Sequence, residues 1–414
     1  MPRVKVAPKQ EAVKLQSLLP NAVEEIRKGG VGEELKEYCR TRVHIVTIGV
    51  DMGKSLWACC LNDPDKVKKS IRRFRRKGKE QAFYKWVKGL RHRHPDTVFH
   101  VVYEAGRNGY TPARELRRQG VYVHLIPVNK LKVVEYGKKV KTDRIDAEFL
   151  SALDVLSSDL PRVHIPEISL ECDKGLLREY HRIEKDIRTK NHQILSLIER
   201  WPVSETAPNK HLHHDVWRDC VAEWRKMGDV QIPESELFRI ELLLDRMKAD
   251  EAAKIKLQGR IDERDEEHRQ AAAAKGEPYL VDILESLKGI GITTARAFAW
   301  EVGDFARFAP GKFGAWLGLV PVAHESCGMR KQLGISKAGN KELRRRAVGL
   351  VWLWKTWQPD SALMKKWGSR LEKGGRIRRI AAVAMARELM EAIRDLIVDN
   401  KPIEGAIKFS ERSK

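Results

Sequence analysis

The run Val43-His44-Ile45-Val46-Thr47-Ile48-Gly49-Val50-Asp51 constrains the fold more than any other stretch, because it is largely apolar and β-branched and stops on a carboxylate. Branched side chains pack well on a pleated surface, so the run reads as a buried strand that delivers Asp51 to its end. Met52-Gly53-Lys54-Ser55 then turns the chain, and Leu56 to Leu61 returns it as the second strand of a hairpin. Lys66 to Lys79 is charged and reads as a solvated strand and turn, and Gln81 to Arg93 as an amphipathic helix. A second core strand, Thr97 to Tyr103, ends on Glu104. A helix over Thr111 to Gln119 follows, then a third core strand from Val121 to Ile126, stopped by Pro127. Strands alternating with helices, with acids at strand ends, predict an α/β layer whose active edge lies along those ends.

The stretch Lys141-Thr142-Asp143-Arg144-Ile145-Asp146-Ala147 adds two carboxylates three residues apart, which share one face of a helix. Lys139, Lys141 and Arg144 make the neighbourhood attractive to phosphate. Taken alone, such a motif is better explained as an ordinary solvated helix start. Its weight comes from convergence: Asp51 and Glu104 can lie side by side while Asp143 and Asp146 approach from the next helix. Four carboxylates at one edge repel each other strongly unless cations are bound. Oxygen donors of this kind suit Mg2+, with Mn2+ as a possible substitute, in phosphoryl transfer.

The chain of 414 residues carries 79 Lys and Arg against 57 Asp and Glu, a formal charge of +22 spread along its length. That balance favours a polyanionic partner, most simply nucleic acid. No apolar run reaches the length of a membrane span, and Met1 to Gln10 lacks the apolar core of a secretory signal. The six cysteines, at positions 39, 59, 60, 172, 220 and 327, form no CxxC pair. A reduced, cytoplasmic and nucleoid-associated setting is expected, without structural zinc. No GxxxxGK[ST] phosphate loop is present.

Helical periodicity dominates the rest. Leu170 to Leu197 and Glu234 to Ala274 predict two long helices, paired antiparallel within the chain or forming a stalk between copies. Between them His211, His213 and His214 have no obvious companion ligands and read as surface. Ile283 to Ala295 resembles a helix-hairpin-helix element, in which the Lys288-Gly289-Ile290-Gly291 turn brings backbone amides to a phosphate. Gly318 to Gly328 and Gly334 to Arg346 form a second anchor, a glycine-rich loop bearing Ser326 and followed by basic residues. From the residues alone, Ser326 is a turn former or a phosphate contact before it is a nucleophile. Ser336 reads as a helix cap or phosphate contact, and Lys337, Asn340, Arg344 and Arg345 as contacts to nucleic acid. The tryptophans at 352, 354, 357 and 367 read as core before stacking platforms, and Arg376, Arg378 and Arg379 as backbone contacts. The expected organisation is a basic extension (1–42), an α/β domain (43–160), a helical, coiled-coil middle (161–277), a mostly helical C-terminal domain (278–400) and a tail (401–414).

In order, Gly-Val-Asp51-Met-Gly-Lys, Tyr-Glu104-Ala-Gly and Lys-Thr-Asp143-Arg-Ile-Asp146-Ala resemble the RuvC-like (RNase H-like) DEDD domain of IS110/IS1111-family transposases. The region around Ser326 is similar to that family's C-terminal transposase domain, and the resemblance spans about residues 43 to 395. Two departures stand out: Glu104-Ala105-Gly106-Arg107-Asn108-Gly109-Tyr110 where many members have Glu-Ala-Thr-Gly-x-Tyr, and Cys327 where many have glycine. The resemblance implies a recombinase acting on donor and target DNA. Asp51, Glu104, Asp143 and Asp146 would hold magnesium, and Ser326 would form a transient phosphoserine without ATP. It further implies a non-coding guide RNA and a homo-oligomer, a dimer assembling to a tetramer, in which subunits share active sites. The alternatives are a metal-dependent nuclease of junction-resolvase type, a DNA invertase, and a nucleic-acid-binding protein without activity.

Overall fold

A computed structural model describes residues 44–409 except 76–77, 128–141, 158–159, 206, 229–231 and 327–328, with 205, 323–326 and 329–333 described by backbone alone. The basic extension, Lys139, Lys141 and the Cys327-Gly328 pair lie outside the described residues. The chain divides into two compact units, Met1–Pro166 and Glu167–Lys414.

The first unit is a five-stranded mixed sheet in the order β3-β2-β1-β4-β5. Its strands are β1 (Ile45–Met52), β2 (Leu56–Asn62), β3 (Ser70–Arg75), β4 (Val98–Glu104) and β5 (Tyr122–Ile126). β1 to β3 form an antiparallel meander, while β4 runs parallel to β1, and β5 parallel to β4. Helices α1 (Lys79–Arg93) and α2 (Thr111–Arg118) make the connections the alternating pattern anticipates, and α3 (Asp143–Ser151) follows β5.

Strand alternation sorts the sheet into two faces. Val46, Ile48, Val50, Trp57, Cys59, Val101, Tyr103, Val123 and Leu125 pack with Phe83, Tyr84, Val87 and Leu90 of α1 and with Ala113 and Leu116 of α2. The opposite face carries small residues where α3 lies: Ala58 and Cys60 pack against Ala147, and Val102 and Ile126 against Leu150. Lower on that face, His100 and His124 stack with ring centroids 5.0 Å apart, and Arg162 donates to His124 Nδ1 at 3.0 Å.

In the second unit α4 (Ile168–Ile198) and α6 (Glu234–Ala274) pair antiparallel. Ile194 and Leu197 near the end of α4 share a core with Leu237, Ile240 and Leu244 near the start of α6. Asp173, near the start of α4, accepts from Arg264 at 2.7 Å and meets His268 at 2.6 Å, near the end of α6. The pair is thus a hairpin within one chain. α5 (His214–Met227) completes its core through Trp217, Val221 and Trp224.

The remainder comprises α7 (Leu280–Glu285), α8 (Ile292–Val302), α9 (Phe313–Trp316), a β6 (Pro321–Ser326) and β7 (Met329–Ile335) hairpin, then α10 (Lys341–Trp357), α11 (Ala362–Glu372) and α12 (Gly375–Asp399). Its core draws on Phe298, Phe313, Leu350, Trp354 and Met385. Trp354 and Trp367 are core as expected, whereas Trp352 and Trp357 are exposed. The segment expected as a glycine-rich loop is instead an antiparallel ribbon, because Val320 to Ala323 and Gln332 to Ile335 alternate well enough to pair. Among the described residues no helix is long and apolar enough to cross a membrane.

Candidate active site

Register and face bring the four acids towards one edge of the sheet. Gly49 pairs with Val102 and Val50 with Tyr103, so Asp51 and Glu104, the next residues on adjacent parallel strands, end β1 and β4 side by side. Both follow an inward residue of the α1 face, Val50 and Tyr103, and so belong to the α3 face.

The seat of α3 is fixed by Gly49. A Cβ there would stand 2.2 Å from the Ala147 carbonyl oxygen and 2.3 Å from the Ser151 amide nitrogen, so only glycine lets the helix backbone this close to the strand. Asn62, which pairs with Thr47, donates to the Ser151 carbonyl at 2.9 Å. Ser151 therefore lies at the Thr47 level and Ala147 at the Gly49 level, and the preceding turn, carrying Asp143 and Asp146, points to the Asp51 end. Thr142 caps α3, its Oγ1 accepting from the Ile145 amide at 3.2 Å. Both aspartates lie in the first helical turn, where the positive end of the helix dipole favours negative charge.

Asp51, Glu104 and Asp146 are half-buried and Asp143 is exposed. Asn108, from the segment that departs from the family pattern, donates to the Met52 carbonyl at 3.0 Å and ties that loop to the end of β1. The donor set consists of carboxylate oxygens only, which fits hard cations such as Mg2+ and Mn2+. Among the described residues, the groups whose donor atoms converge within 4.8 Å are His213–His214–Asp215 and His44–Asp63–Asp65. The four acids share a face and an edge but are not drawn into such a knot.

Ser326 ends β6, where it pairs with Met329. The other end of this ribbon is clamped. A Cβ on Gly318 would lie 2.2 Å from the Ala338 carbonyl oxygen, and one on Gly339 would lie 2.1 Å from that of Trp316. The Ser336 amide donates to Val320 at 2.9 Å, and Arg344 Nη1 donates to the Ala338 carbonyl at 2.9 Å. Ser336 is not the cap of α10. That role falls to Asn340, whose Oδ1 accepts from the Glu342 and Leu343 amides at 2.8 and 3.2 Å.

The basic candidates divide by commitment. Arg344 holds local carbonyls, Arg345 pairs with Glu342, Arg144 with Glu148 at 2.7 Å, and Arg378 donates to the Leu371 carbonyl at 2.9 Å. Lys337, with φ of 54°, Arg376 and Arg379 are exposed. Gly289 takes φ of 97° in the turn between α7 and α8, Gly291 caps α8, and the Lys288 carbonyl accepts from Gln358 Nε2 at 2.8 Å.

One expectation fails. His214 is buried, 7 % exposed, because it faces Glu251 of α6 instead of solvent. Glu251 is 37 positions further on, and nothing in the local sequence pairs the two.

Comparison with known proteins bears on all of this. Residues 281–366 match the family described as Transposase IS116/IS110/IS902 family. The chain is similar to the putative transposase y4rJ of Sinorhizobium fredii, 30% identical over 330 residues that cover 74% of this chain and 79% of that protein. It is 28% identical to the putative transposase y4qE of the same organism, over 69% of this chain and 65% of that protein. It is 25% identical to the transposase for insertion sequence element IS1111A of Coxiella burnetii, over 75% of this chain and 78% of that protein.

Proposed function

The chain belongs to the IS110/IS1111 family of insertion-sequence transposases, enzymes of DNA phosphoryl transfer, and from that premise we propose that its sheet unit is a RuvC-like layer acting with Ser326 in a single recombination reaction. The observation that carries the proposal is the seat of α3 on Gly49, which turns the Asp143 and Asp146 end of the helix towards Asp51 and Glu104. These four residues would hold Mg2+, or Mn2+ in its place. When bound, the metal supplies positive charge to the oxygens of the reacting phosphate.

The chain's own part is as follows. Ser326 Oγ attacks phosphorus, a P–O bond of the DNA backbone breaks, and the Oγ proton ends on the strand released as a hydroxyl. The phosphoserine keeps the energy of the broken bond, so a hydroxyl end of a second strand can reverse the step without ATP. Lys288 and the Gly289 and Gly291 turn, which we read as a helix-hairpin-helix, would contact the phosphate backbone, as would Lys337, Arg376 and Arg379. The charge of +22 fits RNA plus DNA, and we propose a non-coding guide RNA and a tetramer of this chain as the working assembly.

The test is incubation of the protein with Mg2+, RNA transcribed from the DNA flanking its gene, and labelled donor and target DNA, resolved on a denaturing gel. A metal-dependent protein–DNA adduct that disappears in Ser326→Ala and in Asp143→Asn is the expected result. Free cleaved ends, made equally well by Ser326→Ala, would overturn the phosphoserine and leave a metal-dependent nuclease.

A further inference from the structure

We propose that His213, His214 and Asp215 form a second metal site, suited to a divalent ion of the zinc class, and that Glu251 of α6 holds both imidazoles from behind. Two imidazoles and a carboxylate are a donor set for zinc, with water in the fourth place, unlike the all-carboxylate edge of the sheet unit. One donor atom from each of His213, His214 and Asp215 lies within 4.8 Å of the others. His213 Nε2 is 2.7 Å from Glu251 Oε2, and His214 Nδ1 faces the same oxygen. His214 Nε2 is 2.9 Å from Asp215 Oδ1, and His213 Nδ1 is 3.3 Å from Asp215 Oδ2. Asp215 and Glu251 thus face opposite nitrogens of both rings, so an ion on the Asp215 side leaves the other two ring nitrogens to donate to Glu251.

Burial and charge point the same way. The side chains of His214 and Glu251 are 8 % and 12 % exposed against buried Trp217 and Met247, while His213 and Asp215, 52 % and 70 % exposed, leave the ion's position open to solvent. The neighbouring acids already have cations: Asp250 takes Lys190 at 2.6 Å and Asp245 takes Arg218 at 2.5 Å. Glu251 is left to the histidines. With neutral imidazoles Asp215 and Glu251 leave two negative charges, which a divalent ion cancels. The positive end of α5 opposes a cation by only about half a charge.

The competing account is an imidazolium held between two carboxylates, and cobalt separates the two. Co2+ is added to the metal-stripped full chain, and the visible ligand-field bands are read, since four-coordinate cobalt absorbs far more strongly than cobalt in a six-oxygen shell. The expected result is an intense band that saturates at one equivalent, is displaced by Zn2+, and is unchanged in Asp143→Asn. Affinity should fall about tenfold or more in His213→Ala and in the near-isosteric Glu251→Gln. Zn2+ should also raise the melting temperature of the unmodified chain but not of either variant. Absence of the intense band, or its survival in both variants, would overturn the site and leave the imidazolium network.

Discussion

At the scale of the residue, Gly49 and His100 make the sharpest claims. Gly49→Ala places a methyl against backbone that no side-chain rotation can relieve, so α3 must move. We expect a loss of about 1–3 kcal/mol in stability by denaturant melting, together with loss of metal-dependent DNA cleavage. His100 tests burial instead. Burial, and secondarily the Arg162 charge, holds its pKa down to about 3 from 6.5. The folded state therefore resists a proton that the unfolded chain accepts. Stability is intact above about pH 6.5 and is lost progressively as pH falls towards about 3. Replacing it by His100→Gln should flatten that acid limb in melts taken across the range. The places of Asp51, Glu104, Asp143 and Asp146 at the ends of β1, β4 and the start of α3 were legible in the sequence because each ends or begins a pattern, an apolar strand or a capped helix. The role of Gly49 was not, since a glycine within a β-branched run gives no sign of what crosses it. His214 was misread for a similar reason: its partner Glu251 is brought to it only by the pairing of helices.

At the scale of the element, the α4–α6 pair was legible as two helices but not as to its partner. Irregular apolar spacing leaves an intramolecular hairpin and a stalk between copies equally open. What decides it is polar: Asp173, fully buried, is held by Arg264 and His268 across the pair. Asp173→Asn should cost about 1–3 kcal/mol, measured by denaturant unfolding, because the half-buried Arg264 and His268 lose the carboxylate they share. The ribbon of β6 and β7 was missed as strand because glycine and serine around it read as loop. The cap of α10 moved from Ser336 to Asn340 for a simpler reason: the helix begins later than the basic run suggests. Asn340→Ala should destabilise α10 by about 1 kcal/mol in thermal melts, since two amides lose their acceptor.

At the scale of the whole molecule, the excess of Lys and Arg over Asp and Glu makes a quantitative claim about DNA. Affinity should fall linearly with the logarithm of salt concentration. If six or more phosphates are contacted, it should drop by about 10³-fold or more between roughly 50 and 200 mM salt in filter binding. A shallow slope would mean that the positive charge is neutralised within the chain. Across the described residues the α/β layer followed by helices was visible in the sequence, the β6–β7 ribbon apart, since strand-like and helix-like patterns occupy separate stretches.

The clamp at Gly318 and Gly339 turns the β6–β7 ribbon into a cantilever. Its root is locked backbone to backbone, and Ser326 rides near the far end of strands 6 and 7 residues long, a reach of about 20 Å. Over that reach a tilt of about 3° at the root becomes roughly 1 Å at the tip, a misplacement that for the nucleophile proposed above would cost of order a hundredfold in rate. A side chain forced in at either glycine would thus be felt far from where it sits, as a loss of aim at Ser326.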